Sequence, residues 1–289
     1  MTKIYSINED YKNYDFHIEW VWTDECNFRC SYCFRASKPR KPIPKDTIMS
    51  VAKQLNDFSL RYKIKVIMTG GEVTTLPYFE EVVKSLNENI ALELNTNGML
   101  LSNDNLFKRF KFISVSLHSE YFEKQKSKLD NILNLKDTIH LNIVYNYKNH
   151  KKAIEMASWC KKYDLYFTLV KDQNDDYLLD SKILGDSSSY YHKDIILDVD
   201  GKKKNNLSID DILNNKIYKL FKGSFCYNNF ITIEYNKIKY SCGIKFFKKL
   251  SDISDDNKVY CNQDCADMYA FIDTTKILLR KDIHKFINL

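Results

Sequence analysis

The sequence predicts an α/β fold: a parallel sheet wound with helices into a partial (β/α)6 barrel, followed by a small C-terminal module of a β-hairpin plus helix. Three observations predict it. Six apolar runs of strand length recur between residues 16 and 170, stretches of helical period separate them, and beyond residue 223 the pattern changes to that of a hairpin.

The first run, "FHIEWVW" (16–22), reads as a strand, and "KDTIMSVAKQLNDFSLRY" (45–62) has apolar residues at helical spacing behind Asp46 as a cap. "KVIMT" (65–69), "IALELNT" (90–96), "FISVSLH" (112–118), "HLNIVYN" (140–146) and "LYFTLV" (165–170) continue the strands. Helical patterns at 77–88, 102–110, 119–135 and 149–163 separate them. This part spans 1–171. A polar connecting or capping segment, 172–222, has no clear period until "LSIDDILNNKIYKLF", a short helix. In the last part, 223–289, "FITIEYNKIKYSC" alternates apolar and polar residues about Asn236 and Lys237, a hairpin signal.

Composition excludes several classes. The chain has 289 residues, 44% hydrophobic and 28% charged, with only 7 Gly and 4 Pro, so collagenous and disordered readings fall away. The start has no apolar signal region and no stretch nears 18 apolar residues, which predicts a cytoplasmic protein without membrane association. The formal charge of +6 is modest and "GKKKNN" is the one dense basic run, read as a solvated loop, so no nucleic-acid partner is expected. In a reducing compartment the eight cysteines read as thiols, with metal binding ahead of disulfides.

In barrels of this kind the chemistry gathers at the C-terminal ends of the strands. There the first strand leads into Cys26, Cys30 and Cys33, the second into "TGGEVTTLP", the third into "NTNG", and the fourth ends in Ser116 and His118. The C-x3-C-x2-C triad, with Gly70, Gly71 and Glu72 at the next strand end, resembles the radical S-adenosylmethionine (SAM) superfamily. A [4Fe–4S] cube fully held by protein takes four thiolates, so three leave one iron open, and the resemblance implies that SAM chelates it. Zinc is the structural alternative, but no His lies between residues 18 and 117 to complete a short-spaced site.

The same resemblance implies that the Gly-Gly-Glu turn orients the SAM amino group. A side chain at Gly71 is then expected to weaken SAM binding while the cluster still assembles. It implies further that Tyr32 lies near the adenine and that Ser116, His118 and Asn142 contact ribose and carboxylate. Val73 stands where many members have Pro. The resemblance covers residues 15–171.

Cys226, Cys242, Cys261 and Cys265 return beyond the barrel, two flanking the hairpin and two as "CNQDC". They resemble the twitch module, a shortened SPASM domain, which implies an auxiliary [4Fe–4S] cluster; a zinc ribbon is the alternative. Cys160, on the 149–163 helix among apolar neighbours, reads as a small buried hydrophobe.

Together these imply a radical SAM enzyme of oxidoreductase type, in which SAM is reductively cleaved, a substrate hydrogen atom is removed and the auxiliary cluster accepts an electron. The substrate is expected to be a small molecule such as a sugar or aminocyclitol, and the electron donor a flavodoxin or ferredoxin. A peptide-modifying enzyme (maturase, crosslinking or epimerising) is the alternative, and a non-enzymatic zinc or Fe–S protein the second. The first strand starts near residue 16, leaving no room in this chain for an N-terminal peptide-recognition domain.

Overall fold

The computed structural model describes residues 2–6, 13–33, 35, 43–102, 105–129, 138–171, 195–199, 202–204, 225–226, 230–240, 245–253 and 259–260. Its strands in chain order are β1 (Thr2–Ser6), β2 (Phe16–Val21), β3 (Ile64–Thr69), β4 (Ala91–Thr96), β5 (Phe110–Leu117), β6 (Ile139–Tyr145) and β7 (Phe167–Lys171). Then come β8 (Ile195–Val199), β9 (Lys202–Lys204), β10 (Phe225–Cys226), β11 (Phe230–Glu234), β12 (Lys237–Tyr240), β13 (Lys245–Phe247) and β14 (Val259–Tyr260). The helices are α1 (Lys45–Ser59), α2 (Phe79–Ser85), α3 (Phe122–Leu129) and α4 (His150–Lys162).

Strands β2 to β7 lie side by side and parallel, in sequence order. Side chains alternate between the two faces of a strand, and here the two faces differ in character. Ile18, Trp20, Val66, Met68, Leu92, Leu94, Ile113, Val115, Leu141 and Ile143 are buried in one core with Ile48 and Leu55 of α1, Val82 of α2, Phe122 of α3 and Met156 of α4. The opposite face carries His17, Glu19, Lys65, Glu93, Ser114 and Asn142. The helices therefore cover one face, while the opposite face is polar, with His17, Lys65 and Ser114 themselves buried. Among the described residues no helix is long and apolar enough to cross a membrane.

All six expected strands form. Around them the structure departs from expectation in four places. Helix α1 is preceded by Pro44 at its N-cap with no side-chain cap, and Asp46 sits inside the first turn. There it faces the positive end of the helix dipole, where an acidic residue is still favourable. In the expected helix at 102–110, the described part holds only a single 3-10 turn, Phe107–Arg109, before β5 begins at Phe110. Phe107 and Phe110 both stack on Phe79 of α2.

The hairpin forms as β11 and β12 with a turn at Tyr235 and Asn236. It does not stand apart from the barrel: β11 pairs in parallel with β2, Ile233 opposite Trp20, so that β13-β12-β11 extend the barrel sheet to nine strands. Ile231, Ile233 and Ile238 join the same core, a burial the hairpin could not achieve alone. Within the connecting segment, β8 pairs antiparallel with β1 and β9, a three-stranded sheet that sequence patterning did not predict. The helix expected at 207–221 lies outside the described residues.

Candidate functional site

The loop after β2 carries Cys26, Cys30 and Cys33. Trp22 closes the strand by donating its N–H to Thr69 O (3.0 Å), and Thr23 Oγ1 accepts the Glu25 N–H (2.9 Å). The Gly-Gly-Glu turn after β3 then packs directly on residues 23–25. Gly71 N–H donates to Thr23 O (2.6 Å) and Glu72 N–H to Glu25 O (2.7 Å). A Cβ at Gly70, whose φ is +149°, would lie 2.5 Å from Thr23 O, and one at Gly71 would lie 2.0 Å from Glu25 O. The glycines are thus required by the backbone of the cysteine loop itself. A side chain at Gly71 would collide with the segment that presents the thiols, so the close approach made by this turn is to the cysteine loop.

Glu72 is fully buried. Its Oε1 accepts from the Thr74 hydroxyl (2.5 Å) and the Thr96 hydroxyl (2.8 Å), and its Oε2 from the Asn97 N–H (2.6 Å). Burial raises its pKa above the usual carboxylate value, and these hydrogen bonds oppose the rise. The side chain ties the β3 turn to the end of β4.

Asn97 carries the tie onward. Its Nδ2 donates to Asn27 Oδ1 (2.7 Å) and lies 3.9 Å from Cys26 Sγ. Its carbonyl accepts from Gln125 Nε2 (2.8 Å), which also donates to Ser116 O (2.7 Å), while Gln125 Oε1 accepts the His118 N–H (2.9 Å). One fully buried glutamine on α3 therefore joins the ends of β4 and β5.

The far side of the cysteine loop rests on the segment after β5. Tyr121 stacks on Phe28 at 3.9 Å between ring centroids, and its hydroxyl accepts the Arg29 N–H (2.9 Å). Glu120 Oε1 accepts from the Ser31 hydroxyl (2.6 Å). His118 Nδ1 is hydrogen-bonded to Tyr32 Oη (2.6 Å) and lies 3.4 Å from Cys30 Sγ. Burial pushes the His118 pKa down to about 4, so the ring is neutral at ordinary pH.

At the loop's base Arg35 pairs with Asp24 (2.6 Å), and the hydroxyl of Tyr235, from the hairpin turn, donates to the other oxygen of Asp24 (2.6 Å). That bond, ahead of burial, pushes the Tyr235 pKa up to about 12.

The structure thus gathers the three cysteines, Tyr32, His118, Gly70, Gly71 and Glu72 around one rim. Ser116 and Asn142 are in register on β5 and β6, and Asn142 Nδ2 donates to Ser114 Oγ (2.6 Å). Cys226 lies in β10, of which only the backbone is described; Cys242, Cys261 and Cys265 fall outside the described residues. Cys160 is fully buried in the core on α4, its pKa pushed up to about 12 by burial. Sequence reading missed Asp24, Arg35, Asn97, Gln125 and Tyr235. Only Asn97 had a signal, as part of "NTNG" at a strand end.

The thiols fit an iron–sulfur cube. Burial raises the Cys30 pKa to about 12, and Glu120 and the two other thiols add to the rise. Three clustered thiols of this kind ionise readily only against a cationic centre. In a cube each thiolate ligates its own iron. A cavity of about 370 Å³ lies between α1 and the hairpin, lined by Gln54, Ile233, Ile238 and Leu250, and it includes none of the rim residues.

A family model described as the Radical SAM superfamily matches residues 20–179. An S-adenosylmethionine-dependent nucleotide dehydratase of Flammeovirga pacifica is 27% identical over 121 residues, 39% of each chain. A GTP 3',8-cyclase of Aliarcobacter butzleri is 33% identical over 128 residues, 38% of each chain. These matches span well under half the length of either relative. Among solved structures, native anSMEcpe with bound AdoMet and Cp18Cys peptide superposes with a TM-score of 0.52 at 14% identity, covering 83% of this chain and 78% of that one. At that identity the likeness is one of fold.

Proposed function

Because the chain belongs to the radical SAM superfamily, we propose that Cys26, Cys30 and Cys33 hold a [4Fe–4S] cluster whose open iron binds SAM, and that the polar face of the sheet binds the substrate. The observation that carries the reading is the loop itself: three thiols at a strand end, braced by the Gly-Gly-Glu turn on one side and by residues 118–121 on the other. When bound, the cluster and SAM supply a 5′-deoxyadenosyl radical that removes a hydrogen atom from the substrate. The chain's own residues place and shield that chemistry. Glu72 and Gln125 fix the rim, Tyr32 and the neutral His118 line it beside Cys30, and Ser116 near the end of β5, with Asn142 opposite it midway along β6, offers hydrogen-bonding groups.

The substrate in this reading is a small polar molecule. Across the polar face of the sheet run the Lys65–Glu93 ion pair (2.9 Å), the Ser114–Asn142 hydrogen bond and the His140–Thr168 hydrogen bond (2.7 Å), groups that match hydroxyl-rich or charged ligands better than apolar side chains. The names of the dehydratase and cyclase relatives, which refer to nucleotides, support a small molecule over a peptide.

For the second site, β10 pairs with β14 so that Cys226 lies opposite Val259, two residues before Cys261. This pairing sets Cys226 beside the segment that leads to Cys261, which supports a site shared by those two; that Cys242 and Cys265 complete it, with a net oxidation of substrate, is part of the proposal. The test is anaerobic reconstitution with iron, sulfide and SAM assays. The unmodified protein should carry two clusters and release 5′-deoxyadenosine from SAM under reduction. The Cys26→Ala, Cys30→Ala, Cys33→Ala variant should lose one cluster and all SAM cleavage. Equal cleavage by both proteins would overturn the reading, and iron for only one cluster in the unmodified protein would remove the second site.

A further inference from the structure

Asp24 and Arg35 stand two residues outside the first and last cysteines of the triad, and their 2.6 Å ion pair closes the loop that contains all three thiols. The pair is shielded, with side-chain exposures of 2% for Asp24 and 11% for Arg35. One oxygen of Asp24 is taken by Arg35; the other accepts from Tyr235, which is 211 positions away in sequence. Tyr235 occupies a hairpin turn with φ +59°, one of two non-glycine residues with positive φ among those described. Gly or Asn serves such a turn without strain, whereas a bulky residue there is strained. What Tyr offers in exchange is reach, since its hydroxyl spans from the hairpin to the base of the cysteine loop.

We propose that Tyr235 is a positioning residue for the thiol loop: acting through Asp24, it keeps the Asp24–Arg35 clasp shut, so that docking of the C-terminal hairpin holds Cys26, Cys30 and Cys33 in place. The clasp restrains a loop that includes Cys30, only 8% exposed, and shortens the search among loop conformations that assembly would otherwise face. The hairpin reaches the site by two routes. Its β11 pairs with β2, the strand that launches the loop, and its turn contacts Asp24. This inference rests on reading the triad as cluster ligands, but it concerns the loop itself and is judged first in the apoprotein.

The experiment measures iodoacetamide labelling of Cys30 in the folded apoprotein, read by peptide mass spectrometry, with chelator-driven cluster loss as a second readout. Tyr235→Phe removes one oxygen. Loss of a hydrogen bond to a charged group should open the clasp enough to raise both rates about tenfold. Ile238→Val is the control: it trims a buried residue of the same hairpin and keeps the Tyr235 hydroxyl, and it should leave both rates near those of the unmodified protein. In Asp24→Asn, adding Tyr235→Phe should raise labelling far less than tenfold, because the partner is already altered. Unchanged Cys30 labelling in Tyr235→Phe, an equal rise in Ile238→Val, or full additivity with Asp24→Asn would each overturn the proposal. Iron and sulfide assays judge the cluster reading separately: protein without a cluster defeats that reading, while the labelling still judges the clasp.

Discussion

Gly71→Ala is the smallest change that probes how the rim is built. The added Cβ would sit 2.0 Å from Glu25 O, 2.6 Å from Glu25 C and 2.9 Å from Asp24 C. All three atoms are backbone, so no side chain can swing aside. Relieving the contact to 3.4 Å, where ordinary packing begins, requires the Glu25 carbonyl to retreat by about 1.4 Å (3.4 minus 2.0). A shift of that size breaks the Glu72 N–H bond to Glu25 O and strains the Gly71 N–H bond to Thr23 O, now 2.7 and 2.6 Å. Two backbone hydrogen bonds at roughly 1 kcal/mol each amount to about 2 kcal/mol. Thermal melting of the apoprotein should register this as a loss of roughly 4–8 °C. Because the displaced residues lead into Cys26, cluster content after reconstitution should fall in parallel, and SAM binding should fail with it. A Gly71→Ala protein with an unchanged melt and a full complement of iron would refute the reasoning. So would one that loses SAM affinity alone, since that would place the close approach at the cofactor and not at the loop.

Two further outcomes follow from the buried groups. Gln125→Leu strands the Asn97 and Ser116 carbonyls and the His118 N–H at once; at about 1 kcal/mol or more for each unsatisfied group, the urea midpoint should drop by more than that of an exposed α3 substitution such as Lys128→Ala. Cys160, buried with its pKa at about 12, should resist alkylation at pH 8 in the folded protein and react only on unfolding, and Cys160→Ala should keep SAM cleavage intact; rapid labelling of native Cys160 would show that α4 is not packed as described.

What the sequence determined by itself is what short-range pattern can encode. The strands β2 to β7 were legible because alternation of apolar residues is a local property, repeated six times with turns between. The triad was legible because three thiols within eight positions and a Gly-Gly-Glu at the next strand end are local too. The hairpin was visible from its own alternation, but its attachment was not: pairing β11 with β2 joins residues more than 200 positions apart, and nothing in "FITIEYNKIKY" names its partner. The same holds for the brace around the thiols. Glu72 reads as a motif residue, yet its carboxylate is spent on Thr74, Thr96 and Asn97 because parallel register sets the end of β4 beside the turn after β3. Gln125 looks like any polar residue of a charged helix until α3 packs and its amide becomes the only described link among Asn97, Ser116 and His118. Asp24, Arg35 and Tyr235 are ordinary surface residue types in sequence, and only the tertiary structure buries their polar ends against one another. Hydrogen bonds act over about 3 Å in space without regard to distance along the chain. Chemistry-bearing residue types could therefore be read from the sequence, while the bonds that hold them in place were decided by the packing of strands and helices far apart in it.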